Sequence, residues 1–118
     1  MQLHPGPEGA ERRRPFLERA LVLLDRQPGV PSAEDWHTKA LLHRALGQAP
    51  AAVAALEMAL RQSPQQVGWR YELAGLLHQE GYWKEARQEL QIVLGQQPTN
   101  AGARRLLDEV ERRIAEKL

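Results

Sequence analysis

The chain contains no cysteine, which excludes disulfides, thiolate metal sites and cysteine nucleophiles and leaves no redox signature of a compartment. Long apolar runs are missing as well. The longest near the start is "ALVLL", residues 20–24, with Glu18 and Arg19 close before it. That is too short and too interrupted for a signal peptide or a membrane span. The expectation is a soluble protein without membrane insertion, cytoplasmic rather than exported. Charge of one sign is also absent: 16 basic against 15 acidic residues leave a net +1, so no strong field selects nucleic acid or an anionic surface. β-branched residues are scarce, and nowhere does an apolar alternation of period two persist between turn signals. A strand-built fold is excluded.

What is present favours helices. Ala, Leu, Glu, Gln and Arg dominate, all good helix formers. A chain of 118 residues with 42% hydrophobic content fits one domain with a modest core. Residues 1–14, "MQLHPGPEGAERRR", carry two prolines, two glycines and no apolar period, and are expected to form a flexible tail. The basic "ERRR" inside it lacks the interleaved aromatics of a nucleic-acid patch and reads as a solvated segment. Pro15 can then occupy the first turn of a helix over 15–27. Phe16, Leu17, Ala20, Leu21, Leu23 and Leu24 give that helix an unusually wide apolar stripe.

Turn residues divide the remainder. "PGVPS" (28–32) breaks the first helix, and Ser32 with Asp35 offers a capping box for a second over about 33–46. Gly47 ends it. Further helices are expected over about 50–62, 66–80 and 83–96, stopped by Pro64, by Gly81 in a left-handed conformation, and by Pro98. Thr99 or Asn100 then caps a last helix over 101–118, whose Ala103, Leu106, Leu107, Val110 and Ile114 form an apolar face. Short connections fold consecutive helices into antiparallel hairpins.

Two of these hairpins repeat each other. A shift of 34 residues pairs Ala40 with Ala74, Leu42 with Leu76, Gly47 with Gly81 and Ala52 with Ala86. It also pairs Leu56 with Leu90, Leu60 with Leu94, and Pro64 with Pro98. Small residues let paired helices approach, leucines fill the space, and glycine and proline set the turns. Such a period is the signature of a helical solenoid.

On these residues the chain resembles the tetratricopeptide repeat family. The first unit (33–66) supplies Trp36, Ala40, His43, Gly47, Ala52, Leu56, Ala59 and Pro64 at the family's positions. The second (67–100) supplies Leu73, Ala74, Leu77, Gly81, Trp83, Ala86, Leu90 and Pro98. Lys39 departs from a usual leucine, Arg70 from a tryptophan and Val93 from a small alanine. The resemblance implies an all-α, right-handed superhelical solenoid of six helices. In it, 15–27 is a half-repeat and 101–118 a capping helix.

The residue types that carry chemistry are not arranged for it. His4, His37, His43 and His78 form no i, i+4 pair and no HExxH motif. His43 stands where the family has a packing tyrosine and is expected in the core. His37 and His78 fall on the inner surface, and with Tyr71 they make a weakest, metal- or ligand-binding alternative. Ser32 and Ser63, both beside prolines, read as caps rather than nucleophiles. A non-catalytic protein without a cofactor or resident metal is expected.

The resemblance further implies that the first helix of each pair lines a concave groove. The outward positions there hold His37, Thr38, Leu41, Arg44, Tyr71, Glu72, His78 and Arg105. Such a mixed surface suits a partner's extended or helical peptide, with Tyr71 as anchor. The lysine–asparagine–arginine clamp by which some members hold a chaperone's carboxyl terminus is absent: the matching places carry His37, Leu41, Glu72, Gly102 and Leu106. The expected function is therefore a protein-interaction module, an adaptor or scaffold. The alternative is self-assembly through the solenoid ends or through Phe16, Leu17, Leu21 and Leu24 on a helix with no antiparallel partner, which could form a homodimer or dock another domain.

Overall fold

A computed structural model describes residues 7–118, with side chains from Arg12 onward. Six helices follow in order: α1 (Pro7–Asp25), α2 (Ala33–Ala45), α3 (Ala49–Gln62), α4 (Val67–Gln79), α5 (Trp83–Gln96) and α6 (Ala101–Glu116). Among the described residues there is no strand, and no helix long and apolar enough to cross a membrane.

Local chemistry sets the boundaries. At the start of α2 the Asp35 amide donates to Ser32 Oγ, and the Ser32 amide donates to Asp35 Oδ2, both at 3.1 Å. This reciprocal box satisfies two otherwise orphaned donors and stabilises the helix by about 1 kcal/mol. Asn100 caps α6 through Oδ1, which accepts from the Ala103 amide at 2.9 Å. Gly47 and Gly81, at φ 74° and 84°, end α2 and α4 in the same way. The amides of Gly47 and Gln48 reach back to the carbonyls of Arg44 and His43, and those of Gly81 and Tyr82 to His78 and Leu77. Each glycine leaves the helix in left-handed geometry, and the crossed bonds satisfy its last carbonyls.

These turns lay each helix against the next, α1 on α2 and so on to α6. One seam of buried side chains runs through α2 to α6. Ala52, Ala74, Ala86, Leu90, Val93, Ala103 and Val110 are fully buried within it, and each buried leucine contributes about 2 kcal/mol. Alanines at the crossings permit the close approach. The radius of gyration is 16.1 Å, against about 13.5 Å for a compact chain of this length, and extents of 45 × 40 × 26 Å make the stack open and flattened. Val93, where a small alanine is usual, is accommodated with no exposure at all.

α1 differs from expectation. Residues 7–14, read as tail, are helical, and Pro15 lies inside α1 rather than in its first turn. Pro7 occupies the start instead, where its missing amide costs nothing, and the good helix formers after it carry the helix on. Residues 1–6 of the expected tail lie outside the described range. From Arg12 on, no residue of α1 is buried. Leu17, Ala20, Leu21 and Leu24 are half-buried on the side covered by α2, while Phe16, Val22 and Leu23 are exposed.

Polar contacts add to this thin apolar attachment. Lys39, in the place of a leucine, is buried; its Nζ lies 2.9 Å from Asp25 Oδ1 and 4.5 Å from the Trp36 ring centre. An Arg14 guanidinium nitrogen donates to the Leu46 carbonyl at 3.4 Å.

Two outcomes follow from these features. Gly81→Ala places a Cβ in left-handed backbone and lowers stability by about 1 kcal/mol; Gly75→Ala, mid-helix with nothing within 4 Å of the added methyl, raises it by about 0.5 kcal/mol or more. Urea unfolding of both variants checks the opposite signs. Lys39→Ala removes the ion pair and the cation–ring contact, so amide exchange accelerates along residues 17–25 while α4–α6 keep their protection. Equal acceleration throughout the chain would contradict this attachment.

Candidate functional site

The first helices of the successive pairs, α2, α4 and α6, contribute one shared face. Period 3.6 brings Trp69 and Glu72, three residues apart on α4, to the same side, and both meet His37 of α2. The His37 and Trp69 rings stack with centroids 4.5 Å apart and planes 13° from parallel. His37 Nε2 donates to Glu72 Oε2 at 2.8 Å. The other carboxylate oxygen of Glu72 is 3.9 Å from an Arg44 guanidinium nitrogen. One acidic side chain, about a quarter exposed, thus connects two basic groups of α2 to α4. Withdrawal from water strengthens these pairings relative to fully solvated ones.

Beside this network lies an open depression of about 210 Å³, lined by Arg44, Tyr71, Glu72, Gly75, Leu76, Gln79 and Leu106. Tyr71 forms its wall toward α6. A Cβ on Gly102 would lie 3.2 Å from the Tyr71 hydroxyl oxygen, so glycine there gives the ring room to lean on α6. Tyr71 is consequently half-buried and packed against the core, a fixed wall rather than a free side chain. Gly75 leaves the floor open.

Of the residues expected in the groove, His37, Arg44, Tyr71 and Glu72 are brought together. Thr38 is exposed, and its hydroxyl donates to the Glu34 carbonyl one turn back at 2.9 Å. Leu41 and Arg105 are exposed on α2 and α6. His78 is half-buried, and its Nδ1 is enclosed without a hydrogen-bond partner. His43, expected in the core, is only half-buried; its Nδ1 meets Gln48 Oε1 at 2.8 Å, so its ring closes the α2–α3 turn. Among the described residues no three of His, Cys, Asp and Glu are grouped to hold a metal. Trp69 is the site residue that inspection of the sequence passed over. Its i, i+3 relation to Glu72 is the signal that could have found it.

Away from this face, Arg70 occupies a usual tryptophan position. It pairs with Glu89 of α5 at 2.8 Å and donates to the Pro64 carbonyl at 3.0 Å. A fork-shaped cation here does by charge what a ring does by area, tying α4 to α5 and to the preceding turn.

Glu72→Gln retains the shape and removes the charge held between His37 and Arg44. It is expected to lower stability by about 1 kcal/mol, whereas Arg44→Ala, half-exposed, costs only a few tenths, about 0.3 kcal/mol. Comparable losses for the two would displace Glu72 from the centre of the network.

A family model described as tetratricopeptide repeat matches residues 43–110, more than half of the chain, from the last turn of α2 into α6. α1 lies outside the match. None of the curated proteins matches the chain.

Proposed function

Because the chain belongs to the tetratricopeptide repeat family, whose repeats generally mediate protein–protein interaction, we propose that the face shared by α2, α4 and α6 binds a peptide or short helix of a partner protein. One observation carries the reading: an open depression combines an apolar floor, Leu76 and Leu106, with the polar groups of Arg44, Tyr71, Glu72 and Gln79 at its edge. A partner side chain can bury apolar area on the floor while hydrogen bonds at the rim fix its register. Tyr71, already immobilised against α6, gives contact area at small further entropic cost. The family is generally non-catalytic, and an adaptor or scaffold without nucleic-acid binding is the corresponding role.

Self-assembly is carried less far. Of Phe16, Leu17, Leu21 and Leu24, the last three are half-buried on the side of α1 covered by α2, which leaves Phe16 as the free member of the set.

Peptides selected from a random library on the purified chain test the groove. Tyr71→Ala or Arg44→Ala is expected to weaken the selected peptides by roughly tenfold or more, with the melting temperature of Arg44→Ala nearly unchanged. Amide shifts on titration should concentrate on α2, α4 and α6. Selected peptides that bind both variants as tightly as the parent chain would remove this face as the binding site.

A further inference from the structure

The two ends of the helix stack are not equivalent. In α2 and α4 the face turned to the second helix of the pair carries Ala40 and Ala74, both buried. The same 34-residue shift lands on Asp108 in α6, and from His43 and Leu77 it lands on Glu111; both are exposed. The outer side of α6 is charged and ends the stack. At the other end, allowing for the two extra residues in the loop after α1, Phe16 and Leu23 correspond to Ala52 and Ala59 of α3. Those alanines have no exposure, because the first helix of their own pair covers them; Phe16 is 76% and Leu23 52% exposed. The half-buried Leu17, Ala20, Leu21 and Leu24 correspond in the same register to the positions of α3 nearest the next pair. α1 is thus a second helix of a pair whose first helix is absent from the described structure.

Charge specifies what can take that place. Arg12, Phe16, Arg19, Leu23 and Arg26 succeed each other at spacings of four and three, which puts them in one stripe. All five are exposed, and the Arg26 amide still bonds the Val22 carbonyl at 3.1 Å, continuing the helical turn. The acidic residues of α1 from Arg12 on are engaged elsewhere, Glu18 with Arg14 and Asp25 with Lys39. The open face is therefore apolar at two points and cationic between and beyond them. A second copy fits it badly: setting Phe16 against the partner's Leu23 in antiparallel fashion brings two rows of arginines face to face, at a cost in like-charge repulsion. Head-to-tail stacking would set Phe16 and Leu23 against the outer side of α6, where Arg104, Asp108, Glu111 and Arg112 are exposed and no large apolar residue is present to cover them.

We propose that this face of α1 docks an amphipathic helix of a partner protein, with two apolar residues seven apart flanked by Asp or Glu. It would lie against α1 as α2 lies against α3. The site is separate from the groove, so a partner helix here and a peptide there can bind together.

The test is selection of helical peptides of about 20 residues with randomised faces, displayed against the full chain and then measured individually. Selected sequences are expected to carry apolar residues at i and i+7 with acidic residues between and beside them. Binding should weaken with added salt, and the triple charge reversal Arg12→Glu, Arg19→Glu, Arg26→Glu should reduce it by roughly tenfold or more. Tyr71→Ala should leave it unchanged. Phe16→Asp, on an exposed side chain, should abolish binding while leaving the circular-dichroism melt unaltered. Selected peptides without acidic enrichment, or peptides that still bind Phe16→Asp, would overturn the proposal. So would failure to select any binder, or a sedimentation-detected dimer of the chain that Phe16→Asp returns to monomer, since a second copy would then be the occupant.

Discussion

The close approach of helices at alanine is the constraint on which the remainder depends. Ala40, Ala52, Ala74 and Ala86 lie at 2% exposure or less, and any larger side chain at these crossings would part the pairs and leave the leucines around them incompletely packed. Glycine turns are the necessary companion. Only a residue free to take a left-handed conformation can end α2 and α4 abruptly enough to return the next helix to that distance. Neither hairpin has enough apolar area to bury its own face, so each uses the next as its cover, and a single seam runs from α2 to α6.

The two ends of the described stack differ. α6 reads as a cap: apolar on Ala103, Leu107 and Val110, charged on Asp108 and Glu111. α1 is held by a half-buried row of leucines and by Lys39, a cation buried at the cost of its hydration and compensated by Asp25 and the Trp36 ring. Lys39 and Arg70 are both charges in positions where the family has apolar side chains. Each has an acidic partner on an adjoining helix, and in both places a directional contact replaces area.

The face shared by α2, α4 and α6 inherits its rigidity from the same packing. Its polar members are not a loose fringe on the helices. Glu72 is fixed from two sides by His37 and Arg44, His37 is stacked on Trp69, and Tyr71 rests against the space left by Gly102. A surface already ordered before a partner arrives loses less entropy on binding. The open face of α1 has the opposite character, long side chains free in solvent around two apolar ones. The docking proposed there would draw on charge and on water released by Phe16 and Leu23.

The sequence by itself determined the architecture: the number of helices, their ends at Gly47, Gly81 and the prolines, the capping box at Ser32 and Asp35, and the alanines and leucines of the seam. These follow from local rules, which act over a few residues, and from a period of 34 that repeats within the chain. The family resemblance, rather than any local pattern, placed His37, Arg44, Tyr71 and Glu72 among the groove positions. Three-dimensional packing decided what those side chains do. The pairing of Glu72 with His37 spans 35 positions, the leaning of Tyr71 on Gly102 joins α4 to α6, and the burial of Lys39 depends on Asp25 in another helix. α1 beginning at Pro7 belongs to the same class, since the glycines and prolines there suggested a tail. Which neighbour covers a side chain is a property of helices meeting in space, and no local pattern encodes it.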